Sequence, residues 1–343
     1  MTLMGVRGRF AHGSNEPQVE GSRIGPSVSS RCSLSVGPMA LVSVVGGAHH
    51  RRMNTRIIVG YDTSPASAAA VGWAAAEAQR RGTTLTIVSC YQIAAMRNMY
   101  PWMPTEAIDP LVEETESSVA RMKDLVVTAN PGLEVSTEVW AGRPSTILLK
   151  DAHDDQLIVV GTSRHQGSFP VWLGSTPRYL IRHSPCPVVV VRDRVPSDPS
   201  RVVVGVDGSA GSERALQWAG EQADRCGVSV LVVHAWDYPY WPSDFGTVQA
   251  HDLMRIDAGC VLDKAVEWVR DSFAAGVSAK LVEDSPSSAL LASIVSGDLV
   301  VLGSHGRGAV LAGLLGSTVN AMLERCVLPV VVVPGATPDP SAP

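Results

Sequence analysis

The residues between Leu299 and Thr318 have the types and spacing that could hold a phosphate. Leu299-Val-Val-Leu is a short apolar run of the kind that forms a buried parallel strand. Gly303-Ser304-His305-Gly306-Arg307-Gly308 follows as a glycine-rich turn. An apolar connector then leads to Gly316-Ser317-Thr318, where a helix can begin with Ser317 or Thr318 as its N-cap. Glycine lets a backbone approach a ligand closely and take positive φ. The unpaired N–H groups of a helix start attract anions, and the helix dipole adds to that attraction. Gly303, Gly306, Gly316, Ser317 and Thr318 would supply amide and hydroxyl donors. Arg307 would add a charge-assisted contact, or else stand as a solvated loop arginine.

The pattern occurs twice. Gln156-Leu-Ile-Val-Val-Gly161-Thr-Ser-Arg164-His-Gln-Gly167 leads to Gly174-Ser175-Thr176. Gly161 to Gly174 and Gly303 to Gly316 both span 13 positions, and an internal duplication is the simplest account.

Gly303, Gly306, Gly316 and Ser317 fit the spacing Gly-x2-Gly-x9-Gly-[Ser/Thr], which resembles the ATP-binding signature of the universal stress protein family. The openings of the repeats agree, Ile57-Ile-Val-Gly60-Tyr-Asp62-Thr-Ser64-Pro65 and Val202-Val-Val-Gly205-Val-Asp207-Gly-Ser209. So do the closing runs, Pro185-Cys-Pro-Val188-Val-Val-Val191 and Leu328-Pro-Val330-Val-Val-Val333. The resemblance extends from about Arg56 to Pro334 and is closest to the tandem, two-domain members of that family.

The resemblance implies ATP as cofactor and adenine nucleotide as small-molecule partner. It places Asp62 and Asp207 beside the nucleotide and its divalent ion, with Asp207 as a ligand of Mg²⁺. These aspartates can also act as an Asx cap on the turn into the next helix, and both roles can hold at once. Gly60 and Gly205 would leave room for base or ribose. The backbone at Cys90 and Ala235 would meet adenine. Ser304 and His305 lie inside the cradle, and His305 reads as a loop histidine without catalytic duty. Beside Ala235, His234 reads as a hydrogen-bonded strand-end residue. Trp73 and Trp218 occupy matching helix positions and read as core. In repeat one Arg164 stands where the second glycine should be. A side chain at a position needing positive φ costs roughly 1–2 kcal/mol, whereas the Arg164 guanidinium could instead bind the phosphate directly; nucleotide binding there is expected to be weaker. The family also pairs its last strand with that of a partner domain. Val188–Val191 and Val330–Val333 could thus meet within one chain as a pseudo-twofold dimer, and a homo-oligomer remains a further possible partner.

Composition narrows the function classes. The chain has 343 residues, enough for two cores, and a net charge of −5. The first 52 residues hold six arginines against two glutamates, so the remainder is the more acidic, which argues against a nucleic-acid partner. The apolar runs are too short to cross a bilayer, which argues against a membrane partner. No Cys-x-x-Cys pair occurs among the six cysteines, and they read as scattered buried thiols of a reducing cytoplasm. Lys123, Lys150, Lys264 and Lys280 all lie outside the glycine loops, so no Walker A lysine is present. Asp62-Thr-Ser-Pro and Asp207-Gly-Ser-Ala lack the Ser-Gly-Gly loop of adenylyl-transferring enzymes of this broad fold. No strand is followed by the Gly-x-Gly-x-x-Gly of a dehydrogenase. The expected function is an ATP-binding regulator of stress response or growth with little catalysis. The alternatives are a slow ATPase or adenylyl-transfer enzyme, and a scaffold with vestigial pockets.

Two β-α-β-α-β-α-β-α-β cycles must position these residues. They imply two tandem doubly wound, five-stranded parallel sheets of the α/β class, Rossmann-like, with ligands beyond the carboxyl ends of the strands. The family's strand order, 3-2-1-4-5, puts strands one and four at the switch point. The expected organisation is a disordered extension over residues 1–52 and a first domain over 53–193 with a degenerate ATP motif. A linker over 194–200, a second domain over 201–334 with the intact motif and a disordered tail over 335–343 complete it. Met53 runs directly into the first strand and is the expected start of the working protein. Within the cycles, helices are expected over Ala-rich residues to Arg81 and over Glu106–Ala129, Pro144–Ala152, Ser175–His183, Ala210–Cys226, Ser287–Val295 and Thr318–Arg325.

Overall fold

A computed structural model describes residues 56–91, 109–162, 173–192, 198–237, 247–307 and 315–335. The expectations for residues 1–52, for Met53, for the tail beyond 335 and for Arg164, Gly167 and Gly308 lie outside the described residues.

Repeat one runs β1 (Arg56–Gly60), α1 (Pro65–Arg81), β2 (Thr84–Tyr91), α2 (Asp109–Ala129), β3 (Val135–Ala141), α3 (Pro144–Ile147), β4 (Leu157–Gly161), α4 (Ser175–His183) and β5 (Val188–Val191). Repeat two runs β6 (Arg201–Val206), α5 (Ala210–Cys226), β7 (Ser229–Trp236), α6 (Thr247–Ser272), β8 (Val277–Glu283), α7 (Pro286–Leu291), β9 (Asp298–Gly303), α8 (Ser317–Arg325) and β10 (Val330–Val333).

The ten strands form one sheet in the order β3-β2-β1-β4-β5-β10-β9-β6-β7-β8. Each half has the order 3-2-1-4-5, with all its neighbours parallel. The halves join through an antiparallel pair in which Val189 faces Val331. The tandem domains therefore pack as a pseudo-twofold dimer within one chain. The central strands are continuous apolar runs because both faces are covered. Ile57, Val59, Val204 and Val301 point into one core with Trp73 and Leu216; Ile58, Val203 and Val300 point into the other with Leu180 and Met322.

Local chemistry sets the helix that follows each first strand. Ser64 caps α1 by accepting from the Ser67 amide, Pro65 opens it, and Gly82 ends it at φ 60°. Ser209 and Gly227 do the same for α5. The two helices meet across the repeats at Glu77, which is fully buried. Its carboxylate accepts from Arg81 Nε at 2.5 Å, from Arg80 Nε at 3.0 Å and from Gln222 Nε2 at 2.8 Å. Gln222 Oε1 in turn accepts from Arg81 at 3.0 Å and Arg225 at 2.6 Å. Trp73 is core, whereas Trp218 is partly buried with the Arg81 guanidinium 5.6 Å from its ring.

Three expectations change. α3 stops at Ile147 rather than at Ala152, where the chain goes over into turns. α7 begins at Pro286, on a Ser285 cap, and ends at Leu291. The turn expected to continue it is taken over by Asp298, which accepts from the Val295 amide at 2.8 Å and pairs with Arg201. Of the described cysteines, all unpaired, only Cys186 and Cys326 are buried; Cys90, Cys226 and Cys260 are partly exposed. No helix among the described residues is long and apolar enough to cross a membrane.

Candidate functional site

The C-terminal ends of β9, β6 and β7 form the floor of a cavity of about 870 Å³. Gly205 and Asp207 reach it from β6, Ala235 from β7, and Gly303, His305, Gly306 and Arg307 from β9 and its turn. Gly316, Ser317 and Thr318 reach it from the start of α8. Strand order alone brings these separate stretches together, at the switch point where β6 and β9 lead away in opposite directions.

Asp207 organises the turn. Its Oδ1 accepts from the Ser209 amide at 3.0 Å and the Ser209 hydroxyl at 2.6 Å. Its Oδ2 accepts from the Arg307 amide at 2.8 Å, holding the β9 turn against the β6 turn. A Cβ on Gly306 would collide with that same oxygen, so the second glycine of the motif is needed for this latch. Burial pushes the Asp207 carboxyl up, but the hydrogen bonds from Ser209 and Arg307 outweigh it and leave the group below its ordinary value. The capping role is observed, with both oxygens accepting from the chain. Oδ2 accepts once and keeps a further lone pair, so the cap is compatible with a divalent ion held mainly by nucleotide phosphates.

The other glycines divide differently from the sequence reading. A Cβ on Gly303 would lie 2.6 Å from the Gly211 carbonyl oxygen, so this glycine admits the first turn of α5 against β9. Gly161 serves the same purpose, with Ala66 and Ser67 at 2.5–2.7 Å. At Gly205 a Cβ would meet Leu302 at 3.0 Å and Leu290 at 3.3 Å, both of which line the cavity. Gly316 is itself the N-cap of α8, correcting the expectation of Ser317 or Thr318, and no side chain caps the helix. Its amide donates to the Ser304 carbonyl at 3.2 Å and is not free for a ligand. The amides of Ser317 and Thr318, in the first turn, have no partner within the helix. Ser304 is buried and does not line the cavity; its hydroxyl accepts from the Gly335 amide at 2.9 Å and meets His305 Nδ1 at 2.9 Å. His234 bonds the Val206 carbonyl at 2.7 Å, as a strand-end histidine should.

The repeat-one counterpart is a cavity of about 120 Å³ lined by Gly60, Asp62, Cys90, Gly161, Gly174, Ser175 and Thr176, among others. Gly174 is an N-cap without a side-chain bond, like Gly316. Asp62 caps its own turn, accepting from the Ser64 amide at 3.1 Å and the Ser64 hydroxyl at 2.5 Å. Backbone strain in this repeat is seen at Thr63, which has φ 63° where repeat two has Gly208 at φ 73°.

Sequence reasoning missed one wall of the larger cavity. Leu253, Met254, Asp257 and Ala258 line it from α6, and Asp237 from the end of β7. Leu253 and Met254 are exposed in the fold, and no spacing in the sequence marks them as facing the cavity.

A profile of the Universal stress protein family matches residues 53–192 and again 199–334. The chain belongs to the universal stress protein family. A universal stress protein of Mycobacterium tuberculosis is 32% identical over 289 residues, covering 80% of this chain and 96% of its own length. One from Mycolicibacterium smegmatis is 30% identical over 286 residues, covering 81% and 96%. Among solved structures, a universal stress protein from Archaeoglobus fulgidus matches with a TM-score of 0.57 at 19% identity, over 82% of this chain and 98% of that one. That likeness is one of fold. The tandem arrangement of universal stress protein domains is thus common to the sequence and the sheet.

Proposed function

We propose that this universal stress protein binds one ATP per chain, in repeat two, and acts as a nucleotide-dependent regulator rather than as a catalyst. The observation that carries the reading is the larger cavity, where the motif residues of β9 and the uncapped start of α8 converge on one space. The Ser317 and Thr318 amides and the Arg307 side chain would take the phosphates. The turn between β6 and α5 and the Ala235 backbone would meet the nucleoside. No lysine lines the cavity among the described residues, and His305 is tied to Ser304. Nucleotide occupancy would bias a conformation that a protein partner or a second copy reads. The much smaller repeat-one cavity supports a stoichiometry of one.

The test is chromatographic identification of nucleotide released from heat-denatured full-length protein, followed by calorimetric titration with ATP. Adenine nucleotide at close to one per chain, without fast turnover, is the expected result. Protein that carries none and gains none overturns the proposal, and rapid steady release of ADP or pyrophosphate replaces the regulator with an enzyme.

A further inference from the structure

The turn that leaves the first strand has glycine in repeat two where repeat one has threonine, and that difference decides where a cavity charge can lie. Gly208 has φ 73° and Thr63 has φ 63°, so the two turns share a left-handed residue. A Cβ on Gly208 would come within 2.6 Å of Arg307 Nη2 and 3.5 Å of its guanidinium carbon. The same point is 3.3 Å from Val261 Cγ1 of α6. The tip of Arg307 therefore occupies the space that a side chain would take, between the β6–α5 turn and α6.

Consecutive residues of one turn thus fix both ends of Arg307. Asp207 accepts from its amide at 2.8 Å, and Gly208 leaves the seat for its guanidinium. Arg307 lines the cavity, and its guanidinium forms no ion pair or hydrogen bond with a described residue. A full charge and a fork of N–H donors stand there without an internal partner. Seated against protein, such a side chain has fewer rotamers to lose when an anion arrives. The smaller cavity of repeat one has no arginine, lysine or histidine among its described lining residues.

We infer that Gly208 is a positioning residue: by seating the Arg307 guanidinium at the cavity, it sets how strongly a phosphorylated nucleotide is preferred over the bare nucleoside. The inference rests on the nucleotide binding proposed above. A side chain at residue 208 meets the far end of a flexible arginine rather than backbone, so the guanidinium gives way and the surrounding fold does not. Displaced from its seat, the guanidinium regains its rotamers, and ordering it again on phosphate costs affinity. An uncharged nucleoside makes no call on that charge and is indifferent to the change.

Calorimetric titration of the full chain with ATP and with adenosine tests the inference. Gly208→Ala and Gly208→Asn should each weaken ATP binding about tenfold and leave adenosine binding within about twofold of the parent. Asparagine tolerates positive φ better than alanine, so a thermal melt of the two variants separates backbone strain from the displaced guanidinium. Arg307→Ala should weaken ATP binding by a similar factor of about ten. Adding Gly208→Ala to Arg307→Ala should then change it by less than about twofold, because the two residues act through one group. Glycine variants that bind ATP like the parent, adenosine binding that weakens in step with ATP, or losses that multiply toward about a hundredfold in the double variant each overturn the inference and leave nucleotide binding standing. Parent protein that binds neither ATP nor adenosine removes the proposed function, and this inference with it.

Discussion

At the scale of single residues, positive φ at Thr63 is the plainest local conflict between side chain and backbone. A β-branched residue in the left-handed region costs roughly 1–2 kcal/mol, and Gly208 avoids that cost at the equivalent place. Thr63→Gly is expected to raise stability by about 1 kcal/mol, read from the denaturant midpoint, with part of the gain cancelled by the looser unfolded chain. Gly303→Ala should do the reverse, because its methyl group meets the α5 backbone rather than a yielding side chain. A loss of about 1–3 kcal/mol is expected in the same measurement. Asp207→Asn should weaken ATP binding about tenfold by loosening the charge-assisted hold on the Arg307 amide. The parent carboxyl lies below its ordinary value of 3.8, so the latch stays charged and ATP affinity should show no break from this group between about pH 8 and pH 5.

At the scale of elements, caps and cradle make opposite demands on the start of a helix. α1, α5 and α7 each have a serine cap whose oxygen accepts a first-turn amide. α4 and α8 start on glycine with no such bond. Gly316→Asp would supply a cap and complement the helix dipole, stabilising the helix by about 0.5–1 kcal/mol. The same carboxylate would sit where phosphate is proposed to bind, so ATP binding should be lost. A thermal melt that rises or holds while calorimetric binding disappears is the expected combination; a variant that binds ATP like the parent contradicts the cradle. The sequence made most elements legible, because apolar runs, serine caps and glycine stops coincide at their ends. It located Gly303 and Gly316 but not their roles, since packing against Gly211 and capping of α8 depend on the approach of distant segments. It hid the α6 wall because a helix packed on two strands gives no spacing rule for which exposed side chains overlook a cavity.

At the scale of the whole molecule, the repeats are joined by the β5–β10 pair and by the polar cluster around Glu77. Burial pushes the Glu77 carboxyl up, but the charges of Arg81 and Arg80 and the Gln222 amide outweigh it and hold it below its ordinary value of 4.5. Its folded value is thus below its unfolded one, so its stabilisation is complete above about pH 4.5 and is lost as pH falls below that. Glu77→Ala should cost roughly 3 kcal/mol at pH 7, because it leaves the guanidinium groups facing one another. Denaturant melts at several pH values should show the gap between parent and variant constant from about pH 8 to pH 5 and shrinking in more acid solution.

Glu77 and Gln222 stand at matching places in their helices, each 13 residues after its capping serine, and they touch each other. Two identical copies related by a rotation axis must present the same group to itself there: acid against acid, or amide against amide. Covalent fusion lifts that restriction. One half can keep the acid while the other supplies its amide mate, and the same freedom lets Thr63 differ from Gly208 and a cramped pocket differ from a roomy one. Joining the halves end to end thus makes room for a division of labour that a pair of identical molecules could not encode.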